Sequence, residues 1–280
     1  MTLAYDWKGD VGDVWAEEWR RTDRTLAPVN QALVAEAAPL TAGIGRPRIL
    51  DIGCGAGATS LALADALAGA EITGLDLSDS LIAVARSRAG DRARLGFEVG
   101  DASRWTPAEA GFDLIVSRHG VMFFDDPVAA FAHLRTVARP GASLLFSCFR
   151  DRGDNEWVRA LRPVMERFAP AALIAPEPPA GPFAFADPAR IESILGAAGF
   201  AAPRIAPLDF DFVAGEGKDP VADAVGYFRR VGPFAAMLKT LDDPARAAAT
   251  DMLGEIAAAH RAGDRIVFGA AAWIVTSARP

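Results

Sequence analysis

The chain of 280 residues predicts an α/β fold, a doubly wound and mostly parallel sheet flanked by helices. The first observation is Arg48 to Ala64, read as RILDIGCGAGATSLALA. A short apolar run ends in glycines at alternate positions, Gly53, Gly55 and Gly57, and a helical pattern follows. Glycine suits such a loop because the backbone must turn sharply and let a ligand approach without a Cβ in the way. The second observation is a set of carboxylates at three successive predicted strand ends, Asp51, Asp76 and Asp101, spaced 25 residues apart. The third is the regular alternation of strand and helix patterns from Arg48 to Phe149. Together they predict a Rossmann-like seven-stranded sheet with a helical N-terminal arm and helical cap insertions.

The elements follow in order. Residues 1–45 are polar and rich in tryptophan (Trp7, Trp15, Trp19), then show a helical pattern over Val29 to Ala38. They are expected to form the arm, and 46–150 the ligand-binding core. The second strand is expected at Glu71 to Leu75, ending on Asp76, and the third around Phe97 to Val99. The fourth is Phe112 to Ser117, and the fifth Ser143 to Phe149. Between these last two, Asp126 can cap a helix starting at Pro127, with Val128, Phe131, Leu134 and Val137 inward and Arg139-Pro140-Gly141 as its stop. Residues 151–280 are expected to supply cap segments and the last strands. A helix is predicted over Asn155 to Phe168, a proline-rich loop over Pro170 to Pro182, and a helix over Ile191 to Ala198. A strand over Arg204 to Val213, helices over Asp219 to Ala262 and a strand over Ile266 to Ser277 complete the chain. Gly215 and Gly217 are candidate joints for the cap.

The glycine loop also fits the dinucleotide fingerprint G-x-G-x-x-G/A through Gly53, Gly55 and Ala58. Asp51 argues against a pyrophosphate there, because its charge would repel one at the helix N-terminus. A ligand bearing an ammonium or sulfonium group would instead favour that carboxylate. Asp76, at the tip of strand two, suits a ribose diol.

At this point the sequence resembles the class I S-adenosylmethionine-dependent methyltransferases. The matching segments are LDIGCGAG (50–57), GLDLS (74–78), GDAS (100–103), FDLIVSRHGVMFF (112–124) and RPGASLLFS (139–147). Two outer segments, DNEW (154–157) and PFAFADPARIESILGAAGF (182–200), look like a bacterial small-molecule methyltransferase subgroup. The resemblance implies that the loop of Gly53, Cys54 and Gly55 lies along the methionine part of S-adenosylmethionine. It implies that Asp76 holds the ribose and that Asp101 and Ala102 face the adenine. Asp51, Leu77, Ser103 and Ser117 complete the expected cofactor-binding residues.

Ligands of such sheets bind outside the carboxyl ends of the strands, so the segment after strand four faces the transfer site. His119 in that segment is the candidate catalytic residue, either a general base or a polar wall residue. Asp125 and Asp126 are read as helix-capping residues, and no metal is expected. The segment SRHG (117–120) lacks the Asn/Asp-Pro-Pro-aromatic pattern of amino-methylating DNA enzymes, and there is no Pro-Cys dipeptide for cytosine-C5 methylation. Two cysteines are too few for arsenite methylation or a structural zinc site.

Composition limits the partners. A net charge of −7 disfavours nucleic acid and anionic membranes, which attract basic faces. No apolar run approaches membrane-spanning length, and a reducing, cytoplasmic setting is expected for Cys54 and Cys148. The expected partner is a small-molecule substrate of hydrophobic or aromatic character, and oligomerisation stays open. Trp157, Phe168, Phe183, Phe185, Tyr227, Phe228, Phe234, Met237 and Leu238 line its pocket or form the cap's own core. Two other readings compete with the methyltransferase. One is a dinucleotide-dependent oxidoreductase, and the other a non-catalytic, cofactor-binding regulator.

Overall fold

A computed structural model describes residues 6–174 and 179–280. Its centre is a sheet whose early strands alternate with helices, save that the third passes to the fourth without one. These are β1 (Arg48–Ile52), β2 (Glu71–Asp76), β3 (Leu95–Val99) and β4 (Phe112–Arg118), followed by β5 (Ala138–Phe149). Three more strands lie toward the C-terminus: β6 (Arg204–Glu216), the short β7 (Arg261–Ala262) and β8 (Arg265–Ala278). The strand order is β3-β2-β1-β4-β5-β8-β6, with β7 paired to β8. The first five strands are mutually parallel, whereas β8 runs antiparallel to both β5 and β6. Strand order reverses between β1 and β4, which opens a crevice at their carboxyl ends.

Helices cover both faces, so the central strands read as unbroken apolar runs rather than alternating ones. Ile49, Leu50, Leu114 and Val116 are fully buried. The helix α1 (Asp10–Glu17) leads into α2 (Trp19–Thr25) and α3 (Ala27–Leu40), and α3 buries Val29, Leu33 and Ala37. Crossover helices α4 (Ala58–Ala66), α5 (Asp79–Ala89) and α6 (Pro127–Val137) follow β1, β2 and β4. Ser78 caps α5 through the Leu81 N–H, and Asp126 caps α6 through the Ala129 N–H.

The register places the cap. Phe149, the last residue of β5, pairs with Ala272, so residues 265–271 of β8 run on beyond the carboxyl end of β5. Residues 209–216 of β6 run beside them. The helices α10 (Pro220–Phe228), α11 (Pro233–Leu238) and α12 (Asp243–Ala259) connect the two strands of this projecting ribbon. Before it come α7 (Glu156–Phe168), α8 (Pro170–Ile174) and α9 (Pro188–Ala197).

Several expectations are corrected. The fifth strand begins at Ala138 and takes in Arg139, Pro140 and Gly141, because Ala138 pairs with Phe112 and the Gly141 N–H bonds to the Arg279 carbonyl. Val128 lies in the exposed first turn of α6, so Ala130, Phe131, Leu134 and Val137 form the inward face. The proline-rich stretch starts as helix α8, and its residues 175–178 lie outside the described residues. β6 continues past Val213 to Glu216, and Arg261–Ala262 pair as a strand. Gly215 lies inside β6, where a Cβ would sit 2.1 Å from the Pro220 carbonyl oxygen.

Asn155 locks the ribbon to the core. It is fully buried, donates through Nδ2 to the Arg150 and Asp151 carbonyls, and accepts the Ala271 N–H at 2.9 Å. Asn155→Ala leaves that buried N–H unpaired and should lower the unfolding free energy by about 1–3 kcal/mol, read from the urea midpoint.

Candidate active site

The glycine loop leaves β1 at Ile52 with Gly53, Gly55 and Gly57 all in the left-handed region (φ +61°, +54° and +84°). The three face different surroundings. A Cβ at Gly53 would lie 3.0 Å from Gly120 Cα, and one at Gly57 would lie 2.9 Å from the Phe97 ring. A Cβ at Gly55 would meet nothing within 4 Å, so this glycine borders open space. The Cys54 thiol packs with Phe97, Ile82 and Ala85, and burial pushes its pKa well up. Its main chain holds the loop, through the Cys54 N–H to the Leu75 carbonyl and the Gly57 N–H to the Cys54 carbonyl.

The three strand-end carboxylates come to one side of the crevice. Asp76 accepts the Gly55 N–H on one oxygen and the Ser78 N–H on the other, both at 2.9 Å. Burial raises its pKa, and the N–H groups of Ser78, Gly55 and Leu77 oppose the rise. Each oxygen keeps a further lone pair for a ligand. Asp51 is fully buried, and Ser60 Oγ donates to its Oδ2 at 2.6 Å. Its Oδ1 has no partner among the described residues. Burial lifts the Asp51 pKa to about 7, against the pull of Ser60 and Arg118. Around Asp101 the balance goes the other way. Burial raises its pKa, but Ser103 outweighs this through its N–H (3.0 Å) and hydroxyl (2.6 Å), with Arg104 and Lys8 near, and holds it low. Ala102 is buried, and Leu77 and Ser103 are half-buried.

Beyond β4 the chain turns tightly. The Ser117 hydroxyl donates to the Ile52 carbonyl at 2.7 Å and accepts the Gly120 N–H at 3.2 Å, so it fastens the β4 loop to the β1 loop. His119 sits at φ +59°, the only described non-glycine residue with positive φ. Its N–H donates to the Ser147 carbonyl, its Nδ1 lies 2.8 Å from Ser147 Oγ, and its ring packs edge-on to Phe149. Burial, helped by Arg118, lowers its pKa to about 3. Such an imidazole is a poor proton acceptor near neutral pH, which counts against the general-base expectation.

Sequence reasoning missed the charges that tie the arm down. Arg118 pairs with Asp23 at 3.1 Å, and Arg88 pairs with the same carboxylate at 2.8 Å. Arg88 also donates to the Ala56 carbonyl of the glycine loop. Arg21 and Arg24 both reach Asp223 on the cap. In the sequence, EEWRRTDR (17–24) looks like an ordinary solvated helix face, and only its alternating signs hint at pairing. Farther toward the N-terminus, Trp7 packs edge-on to Trp15 and to Phe123, just past the β4 loop.

The remaining candidates have structural roles. His133 Nε2 bonds to the Trp105 carbonyl, and His260 Nδ1 to the Ile256 carbonyl. Among the described residues no group of three or more His, Cys, Asp or Glu is placed to hold a metal. None of their helices is long and apolar enough to cross a membrane. The cap aromatics pack on one another, with Trp157 stacked on Phe212 at 5.5 Å and Phe212 stacked on Phe228 at 6.3 Å. Arg230 pairs with Glu17 and Glu18 of the arm.

A Rossmann-like sheet, a glycine loop at its switch point and carboxylates on its first two strand tips define a nucleoside-binding α/β enzyme of the methyltransferase type. Comparison with known proteins supports this. The family model for a methyltransferase domain matches residues 49–141. Over 172 residues the chain is 30% identical to a ubiquinone biosynthesis O-methyltransferase of Aromatoleum aromaticum, covering 53% of this chain and 73% of that protein. It is 37% identical over 102 residues to a trans-aconitate 2-methyltransferase of Streptomyces avermitilis, covering 35% and 38% of the two chains. The crystal structure of YcgJ from Bacillus subtilis superposes with a TM-score of 0.55 at 17% identity, covering 89% of this chain and 98% of that one, and shows the shared fold. The chain belongs to the class I S-adenosylmethionine-dependent methyltransferases.

The loop glycines should separate on substitution. Gly57→Ala adds a clash with Phe97 to the left-handed strain and should cost about 2–4 kcal/mol of stability. Gly55→Ala carries the strain alone, about 1–2 kcal/mol. Thermal denaturation of the two variants checks the order.

Proposed function

We propose that this methyltransferase binds S-adenosylmethionine in the crevice between β1 and β4 and transfers its methyl group to a small-molecule acceptor by in-line displacement. The observation that carries the reading is the Asp76 carboxylate, gripped by the Gly55 and Ser78 N–H groups beside a glycine that borders open space. The donor set fits the cofactor. Asp76 retains lone pairs for a ribose diol, and the orphaned Oδ1 of Asp51 suits an ammonium group. When bound, S-adenosylmethionine supplies an electrophilic methyl group on a sulfonium centre.

The chain's own residues have the task of positioning. Gly53, Cys54 and Gly55 would form the main-chain floor for the methionine part, and Asp101, oriented by Ser103, would face the adenine together with Ala102. Ser117 acts at one remove, through its bonds to Ile52 and Gly120. His119, held neutral, presents a fixed hydrogen-bonding edge to the acceptor. Displacement at a methyl carbon depends mainly on alignment of donor and acceptor, so such positioning is the major contribution asked of the protein. The two relatives, an O-methyltransferase of ubiquinone biosynthesis and a methyltransferase of trans-aconitate, support a small acceptor. A cytoplasmic setting fits the two buried free thiols, Cys54 and Cys148.

Calorimetry with S-adenosylhomocysteine tests the reading. Asp76→Ala should weaken binding by about 1.5–3 kcal/mol, the scale of hydrogen bonds to a charged group. Wild-type protein that bound NADH and ignored S-adenosylhomocysteine would overturn the proposal.

The pH dependence has a defined sign. In the free protein Asp51 titrates at about 7, and a cationic amino group favours its ionised form. Affinity for S-adenosylhomocysteine should therefore rise from pH 6 to pH 7.5, by up to about tenfold per unit below the pKa. Asp51→Asn should be weaker at pH 7.5 and flat across the same range.

A further inference from the structure

On the cap side of the β4 loop, a run of aromatic side chains leads from His119 into the cap. His119 packs on Phe149 (4.3 Å between ring centroids), Phe149 on Trp157 (5.7 Å), Trp157 on Phe212 (5.5 Å) and Phe212 on Tyr227 (6.3 Å). Arg118, next to His119 in the chain, adds a charge that acts on both the Tyr227 hydroxyl and the His119 ring. On the residues of this run and on Arg118, three polar atoms are buried without a hydrogen-bond partner among the described residues: Arg118 Nη1, His119 Nε2 and Trp157 Nε1. The Arg118 side chain is only 10% exposed and Trp157 only 8%.

The chemistry of these atoms specifies what is missing. Guanidinium and indole N–H groups only donate, so the site lacks acceptors. Its charge is also incomplete. Arg118 and Arg88 share one carboxylate, Asp23, which leaves two cations for one anion. Arg118 thus shares its ion-pair partner and keeps Nη1 buried without a hydrogen bond among the described residues, which is costly. Asp51 is the other carboxylate whose field reaches Arg118, but it is bonded to Ser60 on the cofactor side.

We infer that the acceptor is an organic acid with a planar body, whose carboxylate is held by Arg118 Nη1 with the Trp157 indole N–H beside it. This rests on the methyl-transfer reading and adds the substrate class to it. The cofactor's acidic reading points lie on β1, β2 and β3. Arg118 instead pairs with Asp23 of α2, and its charge reaches Tyr227 of the cap. Arg118 is thus a specificity residue, and the aromatic run from Phe149 to Tyr227 supplies flat walls for the rest of the acid.

The test titrates benzoate, 4-hydroxybenzoate and cinnamate, each beside its primary amide, into protein saturated with S-adenosylhomocysteine. At least one acid should bind more tightly than its amide by about tenfold or more, as a charge-assisted contact requires. Arg118→Met should abolish that preference, Arg118→Lys should keep part of it, and Trp157→Phe should weaken the acid while sparing the amide. Wild-type protein that never prefers an acid to its amide would overturn the inference without any variant. So would a loss of S-adenosylhomocysteine affinity in Arg118→Met that its decarboxylated analogue escapes, since Arg118 would then serve the cofactor's own carboxylate. If wild type failed to bind S-adenosylhomocysteine, the methyl-transfer reading would fall. The acid and amide comparison on the free protein would still decide the role of Arg118.

Discussion

The close approach of two loops at the switch point is the constraint on which the site depends. Gly53 and Gly120 leave no room for a Cβ between them, and the Ser117 hydroxyl bridges both loops through Ile52 and Gly120. That contact fixes the end of β1 against the end of β4. From there the consequences run in two directions. Toward β2, the glycine loop is positioned to give its Gly55 N–H to Asp76. Toward β5, the chain is forced through the left-handed residue His119, whose ring is then caught by Ser147 and Phe149. Backbone strain of this kind persists only where neighbours over-determine it.

Electrostatics divides the crevice. On the β1–β3 side, carboxylates dominate, and burial keeps Asp51 near the point of protonation. On the β4 side, arginines outnumber their partners around Asp23. The arm helix α2 stands between these regions and ties itself to the core through Asp23 and to the cap through Arg21 and Arg24. Such partly buried pairs are screened less than surface pairs, so the arm is a structural part of the site.

Local chemistry decides what could be read from the sequence. The glycine loop, the strand-end carboxylates and the capping Asp126 are short-range signals, and they placed the central sheet and one side of the crevice. The turn-like Arg139-Pro140-Gly141 misled because its extended form depends on Arg279, at the far end of the chain. The role of Ser117 was hidden for a similar reason, since its acceptor lies on a different strand. Asp23, Arg88 and Arg118 are ordinary surface-type residues in sequence, and only the folding of the arm over β4 brings them together. The His119 environment was likewise invisible, because its neutrality comes from burial that no local pattern encodes.

The ribbon beyond β5 has one more implication. Glu216 and Arg265 pair directly, and the Gly217 N–H bonds to the Asp264 carbonyl, so the 217–264 insertion leaves and rejoins the sheet at neighbouring positions. Paired antiparallel residues lie only about 4.5–5.5 Å apart. A segment with such a narrow neck can be lengthened, shortened or exchanged between descendants without moving the strands that hold Asp51 and Asp76. Variation of the cap can therefore proceed as replacement of a cassette, while the half of the sheet that carries Asp51 and Asp76 stays unaltered.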